Sequence, residues 1–128
     1  MRHLLDTQIF ISILRQQTSA LPDDIRQCLY GHTNYISTAT LWEMAIKYRL
    51  GKLAFGDSLE NLPTSIAKAG MTILPIDEHH ALHTISPEPP TRDPFDRLLL
   101  AQCAIERMRL VTIDRALAAH PLSATATP

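Results

Sequence analysis

The sequence predicts an α/β fold in which a central, mostly parallel sheet of four or five strands is flanked by helices. Short apolar runs alternate with helical patterns along the chain, and short turns join them. Two of the helical patterns stop at a glycine, Gly51 and Gly70, as helices with a C-terminal glycine do. A chain of 128 residues is long enough for one such domain, and we expect a single domain over residues 1–128.

The individual elements follow from the same patterns. We expect strands at residues 3–5, 35–38, 72–76 and 110–113, and a weakly marked fifth strand near residues 122–125. We expect helices at residues 9–14, 22–30, 39–50, 59–69 and 94–108, and a short helix capped by Asp77. Ligands of open parallel sheets bind at the carboxyl ends of the strands, so we expect the functional site there.

Composition excludes several classes of protein. The net charge is −1, with 12 basic and 13 acidic residues, which argues against binding to polyanions through bulk charge. Cys28 and Cys103 lie far apart and form no CxxC motif, so we expect reduced thiols in a cytosolic protein. The apolar run at residues 9–14 is too short to cross a bilayer, and we expect no export signal and no membrane segment.

Four acidic residues are expected at the carboxyl edge of the sheet. Asp6 follows the first strand and Asp114 follows the fourth. Glu43 lies one turn into the helix after the second strand, and Asp96 one turn into the helix before the fourth. Carboxylates brought this close repel one another unless a cation compensates them. An all-oxygen ligand set favours Mg²⁺ or Mn²⁺ over zinc, as in metal-dependent phosphodiesterases and nucleases.

Most of these acids also have a purely structural interpretation. Glu43 is placed to pair with Lys47 one helical turn later, which is worth only ~0.3–0.5 kcal/mol on a helix surface. Asp6 is harder to explain in this way, because it directly follows two leucines and must be solvated, paired or bound to a cation. Capping or a favourable helix dipole at a helix start accounts for three acids: Asp93, Asp96 and Asp114.

Four blocks of the sequence resemble the PIN-domain ribonucleases, and within them the VapC-type toxins of bacterial toxin–antitoxin systems. The blocks are LLDT (4–7), STATLWEMAIKYRLGKL (37–53), RDPFDRLLLAQC (92–103) and LVTID (110–114), in the order and at the spacing of that family. The resemblance implies a three-layer PIN-like fold. It also implies a catalytic metal site with the ligands Asp6, Glu43, Asp96 and Asp114. Thr112 is implied as a polar support, and Asp93 as a supporting helix cap.

The resemblance also implies a function. It implies a Mg²⁺-dependent endoribonuclease, with Mn²⁺ as an alternative ion, that hydrolyses RNA phosphodiester bonds with a metal-activated water. Such a protein is the cytoplasmic toxin of a toxin–antitoxin pair. It forms a homodimer, and a VapB-like antitoxin holds it inactive in a hetero-oligomer.

The chain departs from the family pattern at three places. Thr91 stands where many relatives carry histidine, and residues 116–120 lack the aromatic side chains common after the last aspartate. The first helix lacks a tryptophan that is common near Phe10. These departures concern the last strand and the substrate rather than the acidic residues.

Several other residues have both a functional and a structural interpretation. Basic residues flank the acidic blocks and predict a positively charged rim that grips RNA: Lys47, Arg49, Lys52, Arg92 and Arg97. His79, His80 and His83 include a pair with metal-ligand spacing, but no third ligand accompanies them, and we expect surface histidines. Trp42 is of a type that stacks on bases, yet its helical neighbours Ala45 and Ile46 favour a place in the core or in an interface.

Two rival functions are less well supported, because the chain lacks residues that they need. A phospho-receiver domain needs a lysine after a late strand, and the last lysine in the chain is Lys68. A haloacid-dehalogenase-type phosphatase needs two aspartates separated by one residue, directly after its first strand. This chain has Asp6, Thr7 and Gln8 there. Two alternatives within the same fold stay open: an RNA-processing nuclease without an antitoxin, and a PIN-fold binding module that has lost catalysis. The four acids favour an active enzyme over the latter.

Overall fold

The structure is a computed structural model, and it describes residues 1–126. The described residues form an all-parallel, four-stranded sheet of order β3-β2-β1-β4. Its strands are β1 (Arg2–Leu5), β2 (Thr33–Ser37), β3 (Thr72–Leu74) and β4 (Arg109–Val111). The predicted α/β class and the mostly parallel sheet are therefore confirmed.

Helices connect the strands and cover both faces of the sheet. They are α1 (Thr7–Leu14), α2 (Asp23–Leu29), α3 (Thr38–Arg49), α4 (Leu62–Lys68), α5 (Glu78–Leu82), α6 (Pro94–Glu106) and α7 (Arg115–Ala118). Two single 3₁₀ turns add to them, at Thr18–Ala20 and Leu59–Asn61. No helix in the described part of the chain is long and apolar enough to cross a membrane.

Alternating side chains along the central strands divide the core into two layers. Leu4 and Leu5 are adjacent in β1 and fully buried, but they belong to separate apolar clusters on opposite faces of the sheet. Leu110 and Val111 divide in the same way in β4. Each fully buried leucine contributes about 1.5–3 kcal/mol to folding. The three layers expected from the sequence are thus helices, sheet and helices.

The fifth strand predicted at residues 122–125 is reduced to one parallel bridge between Leu110 and Ser123. The N–H of Leu110 donates to the carbonyl oxygen of Leu122, and the N–H of Ala124 donates to the carbonyl oxygen of Leu110, both at 2.8 Å. The small side chains of Ser123 and Ala124 offer little apolar surface to hold a longer edge strand. The sheet therefore has four regular strands, and the weakly marked fifth strand is present only as this bridge.

The expectation of surface histidines holds for His79 and His83 but is wrong for His80, which is 2% exposed. Its Nδ1 accepts a hydrogen bond from the N–H of Asp77 at 3.0 Å, within a capping box at the start of α5. Because Nδ1 accepts, the ring proton is on Nε2, which donates to Oε1 of Glu106 in α6 at 3.2 Å. His80 was missed because one buried face of a five-residue helix leaves almost no periodic signal.

The placement of Trp42 in the core is also wrong, because its side chain is 62% exposed on α3. The indole packs edge-on against the ring of Phe95 in α6, with 5.6 Å between ring centroids. The alternative placement, in an interface, stays a prediction. Leu50, at the end of the same helix, is 63% exposed.

Candidate active site

The sheet brings Asp6 and Asp114 to the same edge. In the parallel register Leu5 pairs with Val111, and the N–H of Asp6 donates to the carbonyl oxygen of Val111 at 3.0 Å. Asp6 follows β1 directly, and Asp114 comes three residues after the last residue of β4. Because β1 and β4 are neighbouring parallel strands, both carboxylates stand at their carboxyl ends.

Each of these aspartates also caps the helix that follows it. Oδ1 of Asp6 accepts a hydrogen bond from the N–H of Ile9 at 3.0 Å, at the start of α1. Oδ1 of Asp114 accepts from the N–H of Ala116 at 2.9 Å, at the start of α7. The capping interpretation of Asp114 is therefore correct, and it is compatible with a place in the site, since a cap fixes the carboxylate at the strand end.

Thr112 interacts with both aspartates. It is 1% exposed, and its hydroxyl oxygen accepts a hydrogen bond from the N–H of Asp114 at 3.1 Å. Its hydroxyl also lowers the pKa of the nearby Asp6 carboxyl. Strand β4 thus ends at Val111, two residues before the end predicted at residue 113, and the turn begins at Thr112.

Glu43 reaches the same edge from α3. This helix begins directly after β2, where Ser37 accepts a hydrogen bond from the N–H of Ala39 as N-cap. Oε1 of Glu43 accepts from the hydroxyl of Thr7 at 2.6 Å, and Oε2 pairs with Nζ of Lys47 at 2.8 Å. The i,i+4 pair proposed from the sequence is therefore present, and it lies at the rim of the site rather than on an open surface.

Asp96 arrives from the first turn of α6. The preceding Asp93 is the N-cap of that helix, because its Oδ1 accepts from the N–H of Phe95 at 2.8 Å. Oδ2 of Asp96 accepts a longer hydrogen bond from the hydroxyl of Thr91 at 3.4 Å. The two acids of this segment thus divide as the sequence predicts: Asp93 caps the helix, and Asp96 faces the other carboxylates.

These side chains line one cleft of about 410 Å³. Its acidic lining consists of the four predicted metal ligands and Asp93. The full lining comprises Asp6, Thr7, Gln8, Glu43, Lys47, Asp93, Asp96, Ile113, Asp114 and Leu117. The sheet topology has therefore brought together residues that are more than a hundred positions apart in the chain.

The cleft carries an excess of negative charge, with five carboxylates and the ammonium group of Lys47 in its lining. The pKa of Asp96 is raised to about 6, first by burial and then by the nearby carboxylates of Asp93, Asp6, Glu43 and Asp114. Burial also raises the pKa of Asp6, against the lowering effect of hydrogen bonds from Thr112 and the N–H of Ile9. A bound cation would lower the pKa of both carboxyl groups, because it favours their ionised forms.

The donor set of the cleft fits a hard divalent cation. It offers carboxylate oxygens from Asp6, Glu43, Asp96 and Asp114, which suit Mg²⁺ or Mn²⁺. Within residues 1–126, no three of these carboxylates have oxygens within 4.8 Å of one another. At this spacing at most two of them contact one ion directly, and a Mg²⁺ ion, which usually keeps several of its waters, would meet the others through water.

A tighter cluster of possible ligands lies elsewhere, at Asp77, His80 and Glu106, whose ligand atoms are all within 4.8 Å of one another. Both ring nitrogens of His80 already have protein partners, and Oδ1 of Asp77 accepts from the N–H of His80 at 3.0 Å. The bond from His80 to Glu106 joins α5 to α6. We therefore assign this cluster a structural role.

A larger cavity, of about 980 Å³, lies at the opposite edge of the sheet. His3 and His32 line it with their rings in contact, 4.3 Å apart between centroids and tilted by 31°. Nδ1 of His3 donates to the carbonyl oxygen of Cys28 and Nδ2 of Asn34 to that of Leu29, so both side chains satisfy the last turn of α2. None of the predicted acids lines this cavity.

The predicted basic rim is only partly assembled. Lys47 lines the cleft. Arg49, Lys52 and Arg92 are exposed, and in the sequence they flank the segments that carry Glu43 and Asp96. Arg97 is committed to the loop before α6, where its guanidinium donates to Glu88 at 2.6 Å and to the carbonyl oxygen of Thr91 at 2.8 Å.

The sequence analysis missed two residues that hold Glu43. Thr7 and Thr40 are both buried, and their hydroxyl oxygens are 3.3 Å apart. At 2.6 Å from the carboxylate, the hydroxyl of Thr7 donates to Glu43, so Thr40 donates to Thr7. A signal was present: Thr40 and Glu43 are one turn apart on the same face of α3.

Comparison with known proteins places this architecture in a family. The family model of the PIN domain matches residues 3–121. The chain belongs to the PIN domain family. The resemblance stated from the sequence is thereby confirmed, and the cleft lies within the matched part of this PIN domain.

Known relatives of this PIN domain include a curated enzyme and two solved complexes. Ribonuclease VapC16 of Mycobacterium tuberculosis is 34% identical over 68 residues, which cover 52% of this chain but only 45% of that protein. A toxin-antitoxin complex from Klebsiella pneumoniae has a TM-score of 0.60 at 21% identity over 96% of each chain. VapBC2 from Rickettsia felis, bound to a DNA fragment of its promoter, has a TM-score of 0.59 at 18% identity, also over 96% of each chain. The two structures establish a shared fold.

Proposed function

We propose that this PIN domain is a Mg²⁺-dependent endoribonuclease that acts as the VapC-type toxin of a toxin–antitoxin pair. The observation that carries the proposal is the convergence of four carboxylates, from four separate segments of the chain, in one cleft at the carboxyl edge of the sheet. The similarity to Ribonuclease VapC16 supports RNA as the substrate.

Asp6, Glu43, Asp96 and Asp114 are the residues proposed to hold the cation, with Mn²⁺ as an alternative to Mg²⁺. When bound, such an ion lowers the pKa of a water and stabilises negative charge on a phosphate. Thr112 positions Asp6 and Asp114, and the cap made by Asp93 positions the first turn of α6.

The residues lining the cleft also support water as the attacking group. Among the described residues, the lining contains neither histidine nor cysteine, and Lys47 is paired with Glu43. The carboxylates of the cleft are thus the groups available to orient a water and accept its proton. In-line attack by water with the 3′-oxygen as leaving group breaks the P–O3′ bond and leaves a 5′-phosphate and a 3′-hydroxyl, and it does not require the 2′-hydroxyl of the substrate.

Binding of RNA is proposed to depend on local charge, because the net charge of the chain is only −1. Arg49, Lys52 and Arg92 are exposed and flank the segments that carry Glu43 and Asp96. Side chains of this kind neutralise backbone phosphates without reading the sequence of bases. Lys47 and Arg97 complete the proposed rim, although both already have acidic partners.

An antitoxin partner and a homodimer are part of the proposal. The structurally similar proteins from Klebsiella pneumoniae and Rickettsia felis were solved as toxin–antitoxin assemblies. Trp42 and Leu50 expose apolar surface on α3, the helix that also carries Glu43. Apolar surface of this kind marks protein interaction sites. A VapB-like antitoxin is proposed to cover this side of the cleft, and the setting is the cytoplasm.

A cleavage assay tests the enzymatic part of the proposal. Purified protein and Asp6→Asn are incubated with structured and unstructured RNAs, with and without Mg²⁺, and the products are separated on a gel. We expect cleavage by the wild type that requires Mg²⁺, and no cleavage by Asp6→Asn, which keeps the size of the side chain but removes a charge. Equal cleavage by both proteins at saturating Mg²⁺ would contradict the assignment.

A further inference from the structure

The carboxylate of Glu43 is held at both of its oxygens by the protein itself. Thr7 donates to Oε1 at 2.6 Å, and Nζ of Lys47 lies 2.8 Å from Oε2. The side chain of Glu43 is 12% exposed, whereas that of Lys47 is 41% exposed. Glu43 is therefore fixed from the inside by a neutral group and covered from the outside by a cation.

Lys47 is also the single basic residue that lines the cleft among the described residues. The same lining carries five carboxylates, from Asp6, Glu43, Asp93, Asp96 and Asp114. The ammonium group thus offsets part of a charge that otherwise destabilises the cleft, as like charges close together do. Its partner is one of the four proposed cation ligands.

We propose that Lys47 is an internal counter-ion of Glu43, and that it competes with the divalent cation for this carboxylate. The proposal rests on the proposed function, because it takes the cleft as a cation site. Lys47 is then a positioning residue: it holds Glu43 oriented toward the cleft before a cation binds, and it yields Oε2 when one does.

Competition of this kind has a defined sign. A positive charge held next to the site repels an incoming divalent cation and occupies one of its ligands, so Lys47 lowers the affinity of the cleft. A role confined to holding the conformation of Glu43 has the opposite sign, because loss of Lys47 then disorders a ligand and weakens binding. The direction of the change in affinity therefore separates the two roles.

The first experiment is calorimetric titration with Mn²⁺ of four proteins: wild type, Lys47→Gln, Lys47→Arg and Lys68→Gln. We expect Lys47→Gln to bind Mn²⁺ about tenfold more tightly, because it removes a nearby unit charge. Lys47→Arg keeps the charge and is expected within about twofold of wild type. Lys68 is exposed at the end of α4 and serves as the matched control. Unchanged or weaker binding by Lys47→Gln would overturn the proposal.

The second experiment uses the wild-type chain and does not depend on a variant that folds. Lysine side chains are acetylated with an excess of an activated ester, with and without saturating Mn²⁺, and each site is quantified by mass spectrometry. We expect labelling of Lys47, relative to Lys68, to rise several-fold when Mn²⁺ binds, because the amine is released from Glu43. An unchanged ratio despite measured Mn²⁺ binding refutes the competition alone. A wild type that binds no Mn²⁺ refutes the proposed function and this proposal with it.

Discussion

The hydroxyl of Thr7 donates to Oε1 of Glu43 across 2.6 Å and joins the start of α1 to the first turns of α3. Thr7 follows Asp6 directly, so the residue after β1 and the first residue of α1 both line the same cleft. A hydrogen bond to a charged group contributes about 1.5–3 kcal/mol. The orientation of Glu43 therefore depends on a side chain outside its own helix.

We expect Thr7→Val to lower the free energy of unfolding by about 1–2 kcal/mol, because it keeps the volume of the side chain and removes the donor to a carboxylate. Cleavage of RNA is expected to fall about tenfold, since Glu43 is no longer fixed in the cleft. Urea unfolding and initial cleavage rates measure the two effects. Thr7→Ser restores the hydroxyl and is expected to recover most of both.

Thr72→Val is the matched control, because Thr72 is exposed on β3. Its effect on stability is expected to stay within about 0.5 kcal/mol. If Thr7→Val behaves like this control in both measurements, the contact between Thr7 and Glu43 affects neither stability nor cleavage.

The pKa of Asp96, raised to about 6 chiefly by burial and then by neighbouring acids, predicts a pH-dependent stability. A carboxyl group with a higher pKa in the folded than in the unfolded state favours the protonated native protein. Stability of the cation-free protein is therefore expected to fall as the pH rises from about 4 to about 6. Asp96→Asn removes this loss and is expected to gain about 1 kcal/mol at neutral pH, after allowance for solvent screening.

Urea unfolding of wild type and Asp96→Asn over that pH range, in the presence of EDTA, measures the difference between them. Asp57→Asn is a control of opposite sign, because hydrogen bonds from Ser65 and Asn61 lower the pKa of Asp57 and favour its ionised form in the folded state. It is expected to lose stability at neutral pH. A difference between wild type and Asp96→Asn that does not vary with pH would contradict the raised pKa.

The elements that carry the acids could be predicted from the sequence, because their apolar runs and helix caps give strong local patterns. Asp6 and Asp114 follow buried strands, and Asp93 has the sequence context of a helix cap. The contacts of Thr7 and Thr40 could not be predicted, because they depend on how α1 packs against α3. The single bridge at Ser123 and the burial of His80 likewise depend on tertiary packing.

Cleavage is expected to stop in EDTA, return with Mg²⁺ or Mn²⁺, and leave a 5′-phosphate and a 3′-hydroxyl. Sequencing of the cleaved ends measures the chemistry. A 2′,3′-cyclic phosphate on the upstream fragment would show attack by the 2′-hydroxyl of the substrate and contradict hydrolysis by water.

Substitution of the exposed histidines His79 and His83 by alanine is expected to leave the cleavage rate within about twofold of wild type, because neither lines the cleft. His80→Ala differs, since it removes a buried ring that bonds to Asp77 and Glu106. We expect it to lower the free energy of unfolding by about 1–3 kcal/mol. A loss of activity in a stably folded His79→Ala or His83→Ala would imply a histidine role in the reaction.

The exposed apolar side chains of α3 predict association. We expect the wild type to be a dimer by light scattering. The double variant Trp42→Gln, Leu50→Gln is expected to be monomeric or to bind antitoxin more weakly. The reason is that burial of apolar area contributes about 25 cal/mol per Å² to association. Ile105→Gln, on the exposed side of α6, is a control of similar chemistry. A double variant that keeps both the dimer and the antitoxin would show that this surface is not an interface.

Trp42 is the single tryptophan of the chain, and it adjoins Glu43 in sequence while its indole stays 62% exposed. Emission of an indole shifts to shorter wavelength when water is removed from around it, so the intrinsic fluorescence of this protein comes from one position beside the cleft. Docking of a partner on α3 can therefore be followed in real time without any label. The same spectrum, taken during an unfolding titration, reports the loss of the contact with Phe95.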